Sequence, residues 1–505
     1  MDKYLIGIDA GTTKVKAVLF DRGGRQIAEE AADNRVIHSN GSWNEQDMDQ
    51  LWETLTSCIR RLASRSGVEG GQIDAIGLSA QGEGLWPLDA QGNTLCSAIL
   101  WNDGRAADTV AELKKDGTLY EELKLRVGSY VKPGSTIVQI KWLAENRPEL
   151  YQKAACIFTC KDFLRYRMTG ELKWELTDAS CSCLDLASKR YPVDLFERLG
   201  IGDAVEKFPP MMASTDCGGH LTPQAAQAMG LVPGIPVSGG MIDIVATAVG
   251  AGAIETNSVC TTLGTTGMNL MTVEHYEPDL AFNGWECHME SGKYVKGMGM
   301  MSAMPNQDWV LHELFGEKEL NQELFARLAP ILTGMEPGEG GLLYLPHIDP
   351  SGERAPFFDP SAAAQIMGIK TTITKHQILH AVMEGVCLGV RSCLKDIPDG
   401  GSIMLCGGGA KSDVWSQMLA DCTGRDVVIC EATELAAKGA ALSAAMMTGM
   451  YADGASAKDF FQIKKTVQAD LERKKRYDAI YEIYQRTQES AKDFWQWRTA
   501  FLRGN

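Results

Sequence analysis

Two stretches about half a chain apart carry the same device. One reads LIGIDAGTTKVKAVLF from Leu5 and the other SVCTTLGTTGMNLMTV from Ser258, so Gly264-Thr265-Thr266 falls on Gly11-Thr12-Thr13. Each triplet is flanked by apolar, strand-forming residues. A plain hairpin turn is served by Asn-Gly or Asp-Gly. Two threonine hydroxyls and, in the first copy, the free carboxylate of Asp9 exceed what a turn requires. The repeat suggests two related α/β units whose loops offer hydroxyls and successive backbone N–H groups, a nest for an anion, with a chance match of short Gly-Thr strings as the alternative. The expected boundary lies near residues 250–256, giving units of 1–250 and 251–505.

Size and charge agree with that frame. At 505 residues the chain exceeds what one core holds. A formal charge of -16 argues against nucleic acid and against an anionic membrane surface as partners. Any anionic ligand is left to local amides, hydroxyls or a metal ion. The 14 cysteines are scattered and form no CxxC pair, which fits small buried hydrophobes in a reducing compartment better than a disulfide framework or a zinc site. No basic region followed by a long apolar run opens the chain, and no segment reaches the ~20 apolar residues that span a bilayer. A cytoplasmic location is expected.

Strand and helix signals alternate along the chain. Asp47 to Ala63 carries Met48, Leu51, Leu55, Ile59 and Leu62 at helical spacing. IDAIGLS reads as a strand, LWPLD and AILWN as strands paired around the QGNT turn, and residues 142–164 as mainly helical. IPVSGG is a strand leading into a helix over MIDIVATAVGAGA. Farther on, SIMLC is a strand, Gly407-Gly408-Gly409 a turn, and SDVWSQMLADCTG a helix with Ser412 or Asp413 at its N-cap. Three glycines let backbone approach a ligand closely, and the helix start offers free N–H groups. Asp470 to Thr499 reads as a helix docked on the second unit, and Met298–Met304 as core filling.

There is no GxxxxGK[ST] loop, and no GxGxxG follows a strand and opens a helix, so neither a P-loop ATPase nor a Rossmann dehydrogenase is expected. Thr12, Thr13, Thr265 and Thr266 are phosphate-binding candidates, with ordinary turn residues as the alternative. Asp9 either caps its turn or orders water around Mg²⁺, an ion that keeps several waters and takes one or two carboxylates. Asp243 either stabilises a helix start through the dipole or accepts a hydroxyl proton during phosphoryl transfer.

Seven segments occur in order: IGIDAGTT, AILWNDGR (98–105), SGGMID (238–243), TTLGTTG (261–267), GERAPFFDP (352–360), GIKTTITKHQILHAVMEG (368–385) and LCGGGAKSD (405–413). Together, from Tyr4 to about Met450, they resemble the FGGY carbohydrate kinases, which have the two-domain actin-like ATPase (ribonuclease H-like) fold with a cleft between domains. The resemblance implies transfer of phosphate from ATP to a hydroxyl of a small sugar or polyol, with Mg²⁺. It makes Asp243 the general base and places Asp9 near the metal. Gly11, Thr12 and Thr13 with Gly264, Thr265 and Thr266 would bracket the phosphates, Thr265 nearest the transferred group, and Gly407, Gly408 and Gly409 would lie against the adenosine. Domain closure would exclude water, and a homodimer is within what the family implies.

Gln81, Gly82, Glu83 and Trp101 would contact the substrate, with Asp243. Glycerol kinases have Arg-Glu where this chain has Gly82-Glu83, and D-xylulose kinases have Met-His. Gly134 stands at an aromatic position of glycerol kinases, and Gln139 where the family signature usually has lysine. SAQGEGLWPLD and KDFLRYRMTG resemble L-xylulose kinases, while the QG-acid-G-x-W pattern is similar to erythritol kinases. A ketopentose such as L-xylulose is expected, with a four-carbon polyol as the alternative. The fold also serves ATP-driven clamps and filament proteins; Asp243 and the GERAPFFDP segment argue against that class. A catalytically silent sugar sensor is a further alternative, against which Asp9, Asp243 and both GTT loops speak.

Overall fold

The computed structural model describes residues 3–289 and 292–504. The first half is built on β1 (Tyr4–Ala10), β2 (Lys14–Asp21), β3 (Gln26–Asp33), β4 (Ile73–Ala80), β5 (Cys217–His220), β6 (Pro236–Ser238) and β7 (Met241–Ile242). Their order is β5-β6-β4-β1-β2-β3, with β7 also paired to β4. The second half uses β8 (Val259–Leu263), β9 (Gly267–Val273), β10 (Trp285–His288), β11 (Tyr294–Met300), β12 (Ile403–Gly407), β13 (Val427–Cys430) and β14 (Ile463–Val467). Here the order is β10-β11-β9-β8-β12-β13-β14.

The two orders superpose. In each, a hairpin (β1-β2, β8-β9) has an antiparallel strand on one side and two successive parallel strands on the other, closed by an antiparallel edge. The internal duplication expected from the GTT triplets is therefore present in the topology. The hairpins differ in one detail: Ala10 pairs with Val15 across four residues, and Leu263 with Gly267 across three.

Helices cover the sheets as their apolar spacing demands. In α1 (Met48–Ser66), capped by the Asp47 carboxylate, all five expected apolar positions are buried. Two helices, α2 (Asp243–Ala251) and α4 (Leu435–Met447), follow β7 and β13 of the two halves, and α3 (Asp413–Thr423) follows β12. A third core, shared by both halves, is built around α2 and α4. Their approach is close enough to require glycine. A β carbon on Gly250 would lie 1.9 Å from the Leu435 carbonyl oxygen, and one on Gly439 would lie 2.0 Å from that of Ala246. Long-range packing, rather than helix propensity, fixes α4, whose run LAAKGAALSAAMM is buried over most of its length.

The terminal helix α5 (Leu471–Leu502) buries Tyr477, Tyr484, Ala491 and Trp495 in the core of the second half, the docking role expected of it. Met298 and Met300 belong to that core. Two local expectations need correction. LWPLD and AILWN are joined only by the Leu85–Ile99 bridge; Trp86–Leu88 pairs with Cys156–Phe158, and Ala98–Ile99 with Trp43–Gln46. Cys156–Phe158 also interrupts the stretch expected to be mainly helical. Alternation marks a strand but does not name its partner, and a short apolar run reads equally as helix or strand until something pairs with it. Among the described residues no helix is long and apolar enough to cross a membrane.

Candidate active site

Asp243 opens α2, immediately after β7 has paired Ile242 with Ala80 of β4. Its Oδ1 accepts the N–H of Ile244 at 2.7 Å. The backbone just before it is pinned as well: Ile242 donates its N–H to the Thr177 hydroxyl (2.9 Å), which donates to Glu175 (2.7 Å). Glu175 belongs to a fully buried ion cluster with Lys161, Asp162, Arg165 and Asp178. The carboxylate thus sits on a rigid support rather than on a loop.

A cavity of about 360 Å³ lies over Asp243, lined by Gly82, Glu83, Trp101, Lys132, Ile242, Thr266, Trp285 and Arg354 among others. Burial first, and then the charge of Asp9, pushes the Asp243 carboxyl up to about 7, against the pull of the Ile244 N–H and of Lys132. Burial likewise raises Asp9 to about 6, with Lys16 pulling it down and Glu434 adding to the rise. Lys16 stands opposite Asp9 in the β1-β2 register and pairs with Glu434 at 2.6 Å. A carboxyl poised near neutrality inside a cavity is what proton abstraction at neutral pH requires.

Glu83 holds a left-handed backbone (φ 55°) and pairs with Lys132 at 2.6 Å. Lys132 also lies 5.1 Å from the centre of the Trp101 ring. Burial works to lower its pKa, but the Glu83 charge overrides this and holds the ammonium protonated. Trp101 donates its indole N–H to the Thr12 hydroxyl at 3.0 Å, and Thr12 donates to Gln81 Oε1 at 2.8 Å. The side chain of Gln81 does not line the cavity. It is buried, its amide donates to Gln46 Oε1 at 2.8 Å, and its Oε1 holds the Thr12 hydroxyl that Trp101 donates to.

The two departures from the family pattern both support Trp101. A β carbon on Gly134 would lie 1.6 Å from the Trp101 carbonyl oxygen, so an aromatic side chain has no room there. Gln139 donates to the Leu100 carbonyl at 2.8 Å.

The second hairpin reaches the same cavity through Thr266. Gly264 and Thr265 are anchored behind it, their carbonyls accepting from Met304 (2.9 Å) and Ala303 (3.1 Å). Gly407 to Gly409 lie outside the cavity, but Gly407 pairs with Leu263, the residue before the hairpin. Its φ of 79° and ψ of -160° belong to glycine, and a β carbon would meet the Leu263 carbonyl at 2.6 Å. The helix α3 then starts at Ser412, whose hydroxyl accepts the Trp415 N–H. Exposed glycine backbone running into a helix N-terminus, one strand from a hydroxyl-bearing hairpin, fits a nucleotide polyphosphate. Asp9 and Asp243, two half-buried carboxylates with raised pKa values, are a donor set that a hard cation would relieve. Among the described residues no group of three or more His, Cys, Asp or Glu could hold a metal, so the fit is to an ion shared with phosphate.

Sequence reasoning did not assign Lys132, Ile242, Trp285 or Arg354 to the site. Arg354 falls within GERAPFFDP; its backbone N–H donates to Glu353 and its Nε to the Gly299 carbonyl. For Lys132 one signal was available: a buried Glu83 needs a counter-charge.

Comparison with known proteins agrees with this geometry. Residues 4–250 match the FGGY family of carbohydrate kinases, N-terminal domain, and residues 259–448 match the C-terminal domain. The chain is 31% identical over 498 residues to the "Probable L-xylulose kinase" of Pasteurella multocida, covering 96% of this chain and 98% of that protein. It is 30% identical to the xylulose kinase of Bacillus subtilis, covering 97% and 98%. A ligand-bound xylulose kinase structure from Lactobacillus acidophilus has the same fold, with a TM-score of 0.87 at 22% identity over 97% and 98% of the two chains. With both family domains matched across most of its length, the chain belongs to the FGGY family of carbohydrate kinases.

Proposed function

We propose that this carbohydrate kinase phosphorylates a ketopentose such as L-xylulose, with ATP as donor and Asp243 as general base. The observation that carries the reading is Asp243 itself, a half-buried carboxyl raised to about 7 that lines one cavity with Glu83, Lys132 and the Thr266 hairpin. The acceptor hydroxyl lies against Asp243 and gives up its proton as its oxygen bonds to the γ-phosphorus. The bond from that phosphorus to the bridging oxygen breaks, and ADP leaves with the electron pair. Glu83 accepts substrate hydroxyl protons. Lys132 holds Glu83 and has further N–H donors for a carbonyl or hydroxyl oxygen. Trp285 adds a buried indole N–H that has no protein partner. Several donors suit a ketose, whose carbonyl can only accept.

Gly264, Thr265 and Thr266 take the transferred phosphoryl group, Gly11 to Thr13 face it from the first half, and Gly407 to Gly409 carry the adenosine. Mg²⁺ bound beside Asp9 would neutralise charge on the phosphates. The units 1–250 and 251–505 close over the reactants and exclude water, which would otherwise compete for the phosphoryl group.

The test is sugar-dependent ADP release from Mg-ATP across ketopentoses, aldopentoses and three- to five-carbon polyols. Turnover is expected with L-xylulose or another ketopentose. Turnover confined to a four-carbon polyol would replace the substrate and keep the mechanism. Turnover only on glycerol or a hexose would overturn the substrate class, and ATP hydrolysis indifferent to every sugar would overturn the kinase reading.

A further inference from the structure

Gly82 lines the sugar cavity, yet no side chain fits there as the cavity stands. A β carbon on Gly82 would lie 2.0 Å from Cδ1 and 2.5 Å from Cγ1 of Ile242, the residue directly before Asp243. Ile242 is fully buried and lines the same cavity. Its backbone is held in place, so a side chain at 82 would have to turn the Ile242 side chain out of this volume. Its N–H is bonded to Thr177, its backbone pairs with Ala80, and the Asp178 carboxylate lies 3.6 Å from the Gly82 β-carbon position. One volume is therefore available to one of two side chains, and in this protein it belongs to position 242.

We propose that Gly82 and Ile242 act as a single specificity element. Ile242 fills the room a side chain at 82 would take and gives that part of the cavity an apolar floor against which a C–H face of the substrate lies. A substrate directing a hydroxyl at this floor would lose water without gaining a partner. Glu83, Lys132 and Asp243 surround the floor with polar groups, so the contrast discriminates between sugars by where their hydroxyls point. This inference rests on the sugar-kinase reading for its substrate consequence but not for its steric core.

The test is a double-mutant cycle of Gly82→Met and Ile242→Ala. Gly82→Met is expected to lower kcat/KM for the best sugar by more than about tenfold in the parent, and by less than about threefold when Ile242 is already Ala. The ratio of kcat/KM between the best ketopentose and a four-carbon polyol should change in the double variant, which a purely structural role would not produce. Melting temperature reads the interlock without any sugar: Gly82→Met should lower it in the parent and hardly at all in the Ile242→Ala background. Gly82→Ala replaces Gly82→Met if the larger variant does not fold. Additive effects in both melting temperature and kcat/KM overturn the inference even if the parent is an active sugar kinase. An intact interlock in a protein that phosphorylates no sugar overturns the specificity role and the functional reading, while the shared volume stands.

Discussion

The two halves share one frame and spend it differently. After β4 the first half continues as Gln81-Gly82-Glu83, whereas after β12 the second continues from Gly407 into Gly408-Gly409; Ala80 pairs with Ala10 where Gly407 pairs with Leu263. One strand end presents a carboxylate paired to a lysine, and the other presents bare backbone. The helices behind them differ in the same sense. Asp243 opens α2 with no cation bonded to it among the described residues, and Lys132 is paired with Glu83. Glu434, at the N-cap of α4, is paired with Lys16. Pairing of one helix-start acid and not of the other leaves Asp243 as the carboxyl that burial and Asp9 raise to about 7. A duplicated fold acquires two chemistries by changing which helix-start charge is paired and which strand end is glycine.

The largest effect should come from removing the unpaired charge. Asp243→Asn is expected to lower kcat by about 10²–10⁴-fold with ATP affinity nearly unchanged. Glu434→Gln, its counterpart in the other half, should cost less than about tenfold, because its partner is a lysine and not substrate. Equal losses, measured by coupled ADP release, would erase the distinction between the halves.

The threonines sharpen it next. Thr265→Ala should lower kcat by about tenfold or more with sugar KM little changed. Thr12→Ala should instead raise sugar KM, since the Thr12 hydroxyl holds Trp101. The reverse pattern would exchange the roles assigned to the two hairpins.

Lys132→Met tests the electrostatics. The free-enzyme acid limb of kcat/KM should fall near pH 7 in the parent, the value to which Asp243 is raised. Lys132 pulls that value down, so its loss should move the limb to higher pH. A shift to lower pH would mean that the Lys132 charge does not hold the base down.

Stability gives the smaller effects. Asp243 is raised from an ordinary 3.8 to about 7, so burying its ionised form costs stability above pH 7. Asp243→Asn should therefore melt higher than the parent at pH 8, and the gain should fade as pH falls from about 7 towards 4. Gly439→Val, at the crossing of α2 and α4, should destabilise by about 1–3 kcal/mol in denaturant unfolding. A neutral result would mean that the halves do not depend on that close contact.

Much of this was legible in the chain. The paired GTT triplets gave the duplication, because strand–turn–strand signals are local and survive without knowledge of partners. Asp243 was visible as an acid at the start of an apolar helix, and the apolar face of α1 as plain helical periodicity. What failed was pairing. Trp86–Leu88 and Ala98–Ile99 take different partners.

The sequence by itself determined two related α/β units, the hairpin loops and the acid that begins α2, since each follows from spacing over a few residues. Only the tertiary structure decided that Lys132 is spent on Glu83, that Gly134 makes room for the Trp101 carbonyl, and that Ile242 fills the space beside Gly82. Those are contacts between residues 49, 33 and 160 positions apart. No local propensity encodes such distances; burial and close packing of whole elements bring them together.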